Sequence, residues 1–177
     1  MNIAFSCYDD ESVRKKARLL RVITRTDKIE KFPIMEFIEH VLCGPESNVN
    51  FEVVEKEKML DEYASTDTIR GVIKARIDVY ERAAAGNPRD RFTLCHEVGH
   101  YFLHQIDSLE FARGMVPVQH QPEHQANVFA AELLAPLTMI DGLTVEEISK
   151  RFGISKQSAS YQKQKIDMQR VGVYSLA

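Results

Sequence analysis

Two histidines four residues apart, His96 and His100, with Glu97 beside the first and His104 one turn beyond the second, form the pattern HExxH followed by a third histidine. On a helix, residues four apart lie on one face, so both imidazoles can point at a common centre. That arrangement suits a zinc ion, Zn2+. Glu97 is too near His96 in sequence to close the same chelate comfortably and is placed to take a proton from water beside the ion, which makes it the expected general base. His104 continues the histidine column, but each turn adds about 5.4 Å, so three consecutive turns of a straight helix cannot converge on one ion. His104 is expected to pack, to hydrogen-bond or to meet substrate. Cys95 points about 100° away from His96 around the helix and is read as a packing residue. The rival reading is a pair of ordinary histidines, which then need hydrogen-bond partners in an apolar setting.

The helix that must hold these residues is well marked. Gly86 and Asn87-Pro88 punctuate the chain, with Asn87 as N-cap and Pro88 at the first helical position, and the helix is expected to run to about His104. Phe92, Leu94, Cys95, Val98, Phe102 and Leu103 make it apolar around most of its circumference, which implies burial. Gly99 costs about 1 kcal/mol against Ala inside a helix, so close packing or room near the metal is its expected purpose. Residues 105–121 lack a period and read as a long, functional loop containing His120. Either His120 or Tyr101 could polarise a substrate carbonyl, and the spacing selects neither. Pro122 opens a second helix, ended by Ala135-Pro136, with Ala126, Phe129, Ala130, Leu133 and Leu134 on its core face. A third ligand is expected from its start, where Glu123 and Asn127 share a face and His124 competes from about 100° away.

Upstream, Val13, Ala17, Leu20 and Ile23 recur at helical spacing over residues 10–24, with Arg14, Lys15, Arg18 and Arg21 on what reads as a solvated face. Pro33 starts another helix, whose apolar face takes Ile34, Phe37, Ile38, Val41 and Leu42 and leaves His40 exposed, before Gly44-Pro45 stops it. From Asn50 the period shortens. Phe51, Val53 and Val54, then residues 69–73 and 76–80, read as two or three antiparallel strands, with Arg76 and Glu81 as charges that could guard an edge. An open edge there could instead accept an extended peptide.

With 44% apolar and 28% charged residues and a net charge of −3, the chain of 177 residues fits one well-packed soluble domain and offers no global case for a nucleic-acid or membrane surface. The N-terminus lacks the basic region and long apolar core of a signal peptide, and no run is long enough to span a bilayer. Cys7, Cys43 and Cys95 are too scattered for a disulfide framework or a CxxC pair. A reduced, cytoplasmic protein is expected.

Near the C-terminus, Thr144 and Glu147 form a capping box, Gly153 a turn and Ser155 a second N-cap, the outline of a helix-turn-helix. Lys150, Arg151, Lys156, Lys163, Lys165 and Arg170 make it locally basic. DNA contact is open to it, although acidic Glu146, Glu147 and Asp167 lie among these charges.

The run Arg91-Phe92-Thr93-Leu94-Cys95-His96-Glu97-Val98-Gly99-His100, with His104 and then Glu123-x-Gln125-Ala126-Asn127-x-Phe129-Ala130-Ala131-Glu132-Leu133-Leu134-x-Pro136, resembles the ImmA/IrrE family of zinc metallopeptidases. The resemblance covers about residues 50–165, and Cys95 stands where a small alanine is usual. It implies an α+β, zincin-like fold in a domain of residues 1–140, with residues 141–177 as a helix-turn-helix-like segment packed on it. It also implies a thermolysin-like site in which His96, His100 and Glu123 bind zinc, Glu97 is the base and Asn127 orients a ligand. The implied activity is that of an endopeptidase cutting a helix-turn-helix repressor of a phage, mobile element or stress regulon to derepress its genes. Two rivals are a metal-stabilised regulator that binds a protein partner or DNA without proteolysis, and a toxin- or antitoxin-associated module with a vestigial peptidase fold. An intact Glu97 argues against a purely structural metal, which needs no base.

Overall fold

The computed structural model describes residues 8–59, 61–104 and 121–174. Its helices are α1 (Asp10–Ile23), α2 (Ile34–Glu36), α3 (Lys56–Met59), α4 (Ile77–Ala84), α5 (Pro88–Leu103), α6 (Pro122–Leu134), α7 (Val145–Phe152) and α8 (Lys156–Tyr174). Three strands, β1 (Asn50–Val54), β2 (Ala64–Asp67) and β3 (Val72–Arg76), complete the α+β architecture.

Helix α5 starts as its sequence predicts: Asn87 Oδ1 accepts from the Arg89 and Asp90 amides at 3.0 and 3.3 Å, with Pro88 where no amide is needed. It packs along α6 through Leu94, Val98, Ala126, Phe129 and Ala130, all buried. Gly99 explains how closely the two approach. A Cβ there would lie 3.2 Å from both Ala126 Cα and Phe129 Cδ1, so the glycine's helix cost is offset by a contact that a methyl group would block.

The sheet departs from the expected antiparallel set. Its order is β1-β3-β2, with β1 parallel to β3 and β2 antiparallel to it. The strand expected over residues 69–73 begins later, because Gly71 occupies the left-handed region at φ 66° and a Cβ there would meet the Asn48 carbonyl at 2.7 Å. Residues 76–80 are not a strand. Arg76 ends β3 and α4 begins at Ile77, held by Asp78 in its first turn, which pairs with Arg76 at 2.6 Å and with Arg82 one turn on at 2.7 Å. Arg76 is consequently buried, and Glu81 lies on α4, so neither guards an edge.

Helix α1 buries Val13 and Ala17 as expected but leaves Ile23 69% exposed. Its basic face is not solvated throughout. Arg14 and Arg21 are buried, because Glu132 of α6 and the Leu133 carbonyl receive them at 2.7 and 2.6 Å. Burial pulls the Arg21 guanidinium down to about 10. After α2 the chain continues as a π-helical turn over Phe37–Leu42, whose wider winding buries Phe37, Ile38 and Leu42 but turns the expected core residue Val41 out to 56% exposure. His40 is exposed, as its phase implies.

The capping box of α7 is present, with Thr144 Oγ1 accepting from the Glu147 amide at 3.2 Å and Glu147 Oε2 accepting from the Thr144 amide at 2.8 Å. Gly153 turns the chain at φ 64°, and Ser155 Oγ caps α8 through the Ser158 amide at 3.0 Å. Ile148, Phe152, Ile154, Ala159 and Ile166 of this segment join the same apolar cluster as Leu94 and Val98. Arg91 of α5 ties it down, donating to the Phe152 and Gly153 carbonyls and, at 2.8 Å, to that of Phe32. Among the described residues, no helix is long and apolar enough to cross a membrane.

Candidate metal centre

The helix pair brings three ligand atoms together. His96 Nε2 and His100 Nε2 lie 2.9 Å apart, and Glu123 completes the triangle with Oε2 3.3 Å from His96 Nε2 and Oε1 3.2 Å from His100 Nε2. Among the described residues these three form the group of histidine and carboxylate ligands able to share an ion. Bonds of about 2.0–2.1 Å in a tetrahedral set put neighbouring ligand atoms about 3.3 Å apart, so the triangle has the size such an ion requires. The donor chemistry agrees. His96 Nδ1 faces Asn127 Oδ1 at 3.0 Å, an acceptor that calls for the ring proton on that side and leaves Nε2 as a lone pair turned inward. A second imidazole nitrogen and a carboxylate crowd the same point, an arrangement that a cation stabilises. Glu123 reaches it from solvent, 74% exposed at its side chain, so the outer side is open to a further ligand.

Glu97 lies on the adjacent face of α5, buried against β2. Thr66 of β2 places its hydroxyl 2.6 Å from Glu97 Oε2 and 3.1 Å from the Glu97 carbonyl. Burial raises the Glu97 carboxyl above the usual carboxylate range, the Thr66 hydrogen bond and His96 oppose that rise, and the charges of Glu123 and Glu62 add to it. A carboxylate shifted toward neutrality is a stronger base than a solvated one. His100 moves the other way, down to about 4, through burial first and then the neighbouring His96.

The remaining expected residues separate. His104 is buried with its Nδ1 3.2 Å from His100 Nδ1 and its Nε2 3.0 Å from Gln125 Oε1, so it supports the His100 ring without joining the triangle. His124 turns away to Asp10 Oδ1 at 2.7 Å. Tyr101 packs half-buried on the core, its ring edge-on to Phe102 at 5.5 Å, and its hydroxyl has no hydrogen bond among the described residues. His120 lies outside the described residues, as does nearly all of the expected loop over 105–121. Cys95 is buried beside the site with its thiol pushed up to about 12 by burial, a packing residue as expected.

Sequence reasoning missed Thr66, which sits in a stretch without clear period, and gave Gln125 no role although it stands between Glu123 and Asn127 on α6. A cleft of about 340 Å³ also opens beside Asn127, walled by Phe92, His124 and Val128 and by Gln157, Ser158 and Tyr161 of α8. A wider depression of about 1000 Å³ flanks the sheet, with Glu62 on its wall.

Comparison with known proteins agrees with the motifs. Residues 48–162 match the family described as IrrE N-terminal-like domain. The chain is also 29% identical over 93 residues to the protein named Metallopeptidase ImmA of Bacillus subtilis (strain 168), a match covering 48% of this chain and 55% of that protein. The chain thus spans about half the length of this curated relative. With two imidazoles and a carboxylate converging beside a buried glutamate, and a family match over more than half its length, the chain belongs to the ImmA/IrrE family of metallopeptidases.

Proposed function

We propose that the protein is a zinc endopeptidase in which His96, His100 and Glu123 hold the ion and Glu97 is the general base. The observation that carries this reading is the triangle of His96 Nε2, His100 Nε2 and the Glu123 carboxylate, open to solvent on the Glu123 side, with Glu97 buried alongside. When bound, zinc supplies Lewis-acid chemistry, acidifying water and polarising a peptide carbonyl. Glu97 takes the proton of the attacking water, holds it on a carboxyl whose burial favours the protonated form, and returns it to the leaving amine nitrogen. Thr66 keeps one carboxylate oxygen fixed during that exchange, and Asn127 keeps the His96 ring turned to the ion.

The substrate we propose is a helix-turn-helix transcriptional repressor, cut to release the genes it silences, on the strength of the family resemblance. A DNA-binding role is not favoured, since the net charge is −3 and Arg151, Lys163 and Arg170 of this segment are paired with Glu30, Asp167 and Asp141. The test is direct. Purified protein should retain about one equivalent of zinc and cleave a co-incubated repressor, read by mass spectrometry of the fragments. Glu97→Gln should keep the zinc and lose cleavage by about 10²–10⁴-fold. Undiminished cleavage by that variant overturns the mechanism.

A further inference from the structure

Helix α6 carries Glu123 in its first turn, yet that turn has no side-chain cap. It is tied to the start of α1 instead. Asp10 Oδ1 meets His124 Nε2 at 2.7 Å, and Gln125 Nε2 donates to the Tyr8 carbonyl at 2.8 Å, so the two residues that follow Glu123 are both held by residues 8–10. These residues lie outside the span 48–162 that matches the family.

The direction of the hydrogen bonds leading inward follows from the fixed end. A backbone carbonyl can only accept, so Gln125 gives its amide NH2 to Tyr8 and turns its Oε1 to His104. That oxygen, 3.0 Å from His104 Nε2, requires the His104 proton on Nε2. In a neutral ring His104 Nδ1 is then an acceptor, and the nitrogen 3.2 Å from it, His100 Nδ1, must supply the proton. His100 is left with a bare Nε2, the atom aimed at His96 and Glu123. The Tyr8 carbonyl, which cannot change its role, fixes the direction as far as His104, while the Glu123 carboxylate, 3.2 Å from His100 Nε2, draws the His100 proton the other way until a cation lies between them.

We propose that residues 8–10 are a positioning element of the metal centre. Through Gln125 and His104 they set the tautomer of His100, and through His124 and Gln125 they hold the turn that presents Glu123. This rests on His100 and Glu123 being the ligands, and it adds that a segment outside the matched span prepares both before the ion arrives. A ring already in its binding tautomer needs no proton rearrangement when the ion binds, and partners of this kind are typically worth about 10–100-fold in metal affinity.

Long-range proton–nitrogen NMR of the histidine rings in the metal-free full chain at neutral pH reads the tautomers. The expected result is His100 protonated on Nδ1 and His104 on Nε2, with His100 shifting toward a mixture in Gln125→Leu and His104→Phe. His100 found with its proton on Nε2, or Nδ1-protonated to the same extent in all three proteins, overturns the proposal. Zinc competition against a chromophoric chelator should show Gln125→Leu weakened by about 10–100-fold and Asp10→Asn by less, while the melting temperature of the metal-free Asp10→Asn protein stays near that of the parent. Unchanged zinc affinity in both variants also overturns it. If the parent protein takes up no zinc, the peptidase reading falls, and the tautomers still decide whether the chain operates. Should one variant fail to fold, the comparison of the parent with the other decides the matter.

Discussion

Helix α6 carries a glutamate near each end, and the two are satisfied in opposite ways. Glu132 is completely buried and fully answered by protein: Arg14 at 2.7 Å, Arg18 at 2.8 Å and the Leu137 amide at 3.2 Å, with Gln162 of α8 accepting from Arg14 at 3.3 Å. Glu123, two and a half turns earlier, is largely exposed and faces two imidazole nitrogens about 3 Å away. The first cluster brings its own cations; the second assembles electron pairs and leaves the cation to come from outside. Burial alone would nominate Glu132 as the site. What separates chemistry from architecture here is whether the protein itself completes the charge balance.

The largest expected effect tests that distinction directly. Glu132→Ala strips the carboxylate from buried Arg14 and half-buried Arg18 and should cost about 3–5 kcal/mol in denaturant unfolding, while zinc affinity per folded molecule stays as in the parent. Glu123→Gln should do the reverse, with metal-free stability within about 0.5 kcal/mol of the parent and zinc affinity reduced by more than the roughly 10–100-fold typical of losing an outer partner. Equal losses of zinc in the two variants would collapse the contrast between the ends of α6. Thr66→Val should lower kcat about ten- to hundredfold with zinc content unchanged, because a hydrogen bond to a charged group is worth about 1.5–3 kcal/mol. Thr66→Ser should restore it, and recovery without the hydroxyl would remove Thr66 from the mechanism.

The last effect is a pH dependence centred on His100 of α5, which faces the exposed end of α6. His100 is held down to about 4 in the folded, metal-free protein against 6.5 when solvated, so the unfolded chain binds its proton first. Stability should therefore fall as pH drops from 6.5 toward about 4, with a slope of at most about 1.4 kcal/mol per pH unit from this group. Thermal melts of metal-free protein across that window should show a shallower decline in His100→Gln. Identical declines in the two proteins would assign the sensitivity elsewhere.

Much of the site was legible because helices announce themselves locally. Asn87-Pro88, the four-residue spacing of His96 and His100, and Pro122 ahead of Glu123 each encode position within a single element. The capping box at Thr144 and the turn at Gly153 were readable for the same reason. What escaped depends on partners distant in sequence. Arg14 and Arg21 have the spacing of a solvated face, and only α6 arriving from more than a hundred residues away makes them interior groups. Thr66 acquires a role because β2 comes to rest beside α5, and no local pattern in residues 59–67 carries that information. Residues 76–80 alternate like a strand, yet Asp78 between Arg76 and Arg82 favours the first turn of a helix. Polar residues on α1 needed tertiary partners to be understood, whereas those on the otherwise apolar α5 signalled function on their own.

The glycine where α5 crosses α6 has a consequence for how the donors meet. With no methyl group between Gly99 and Ala126, the backbones sit close enough for imidazoles from one helix and a carboxylate from the other to converge at spacings of 2.9–3.3 Å. An ion with bonds of about 2.0–2.1 Å in a tetrahedral set fits that spacing, and two imidazole nitrogens beside one carboxylate suit it better than they suit calcium, which takes oxygen ligands in larger number. One missing carbon atom thereby sets how near the two helices bring their donors, so the helix crossing is part of the candidate site.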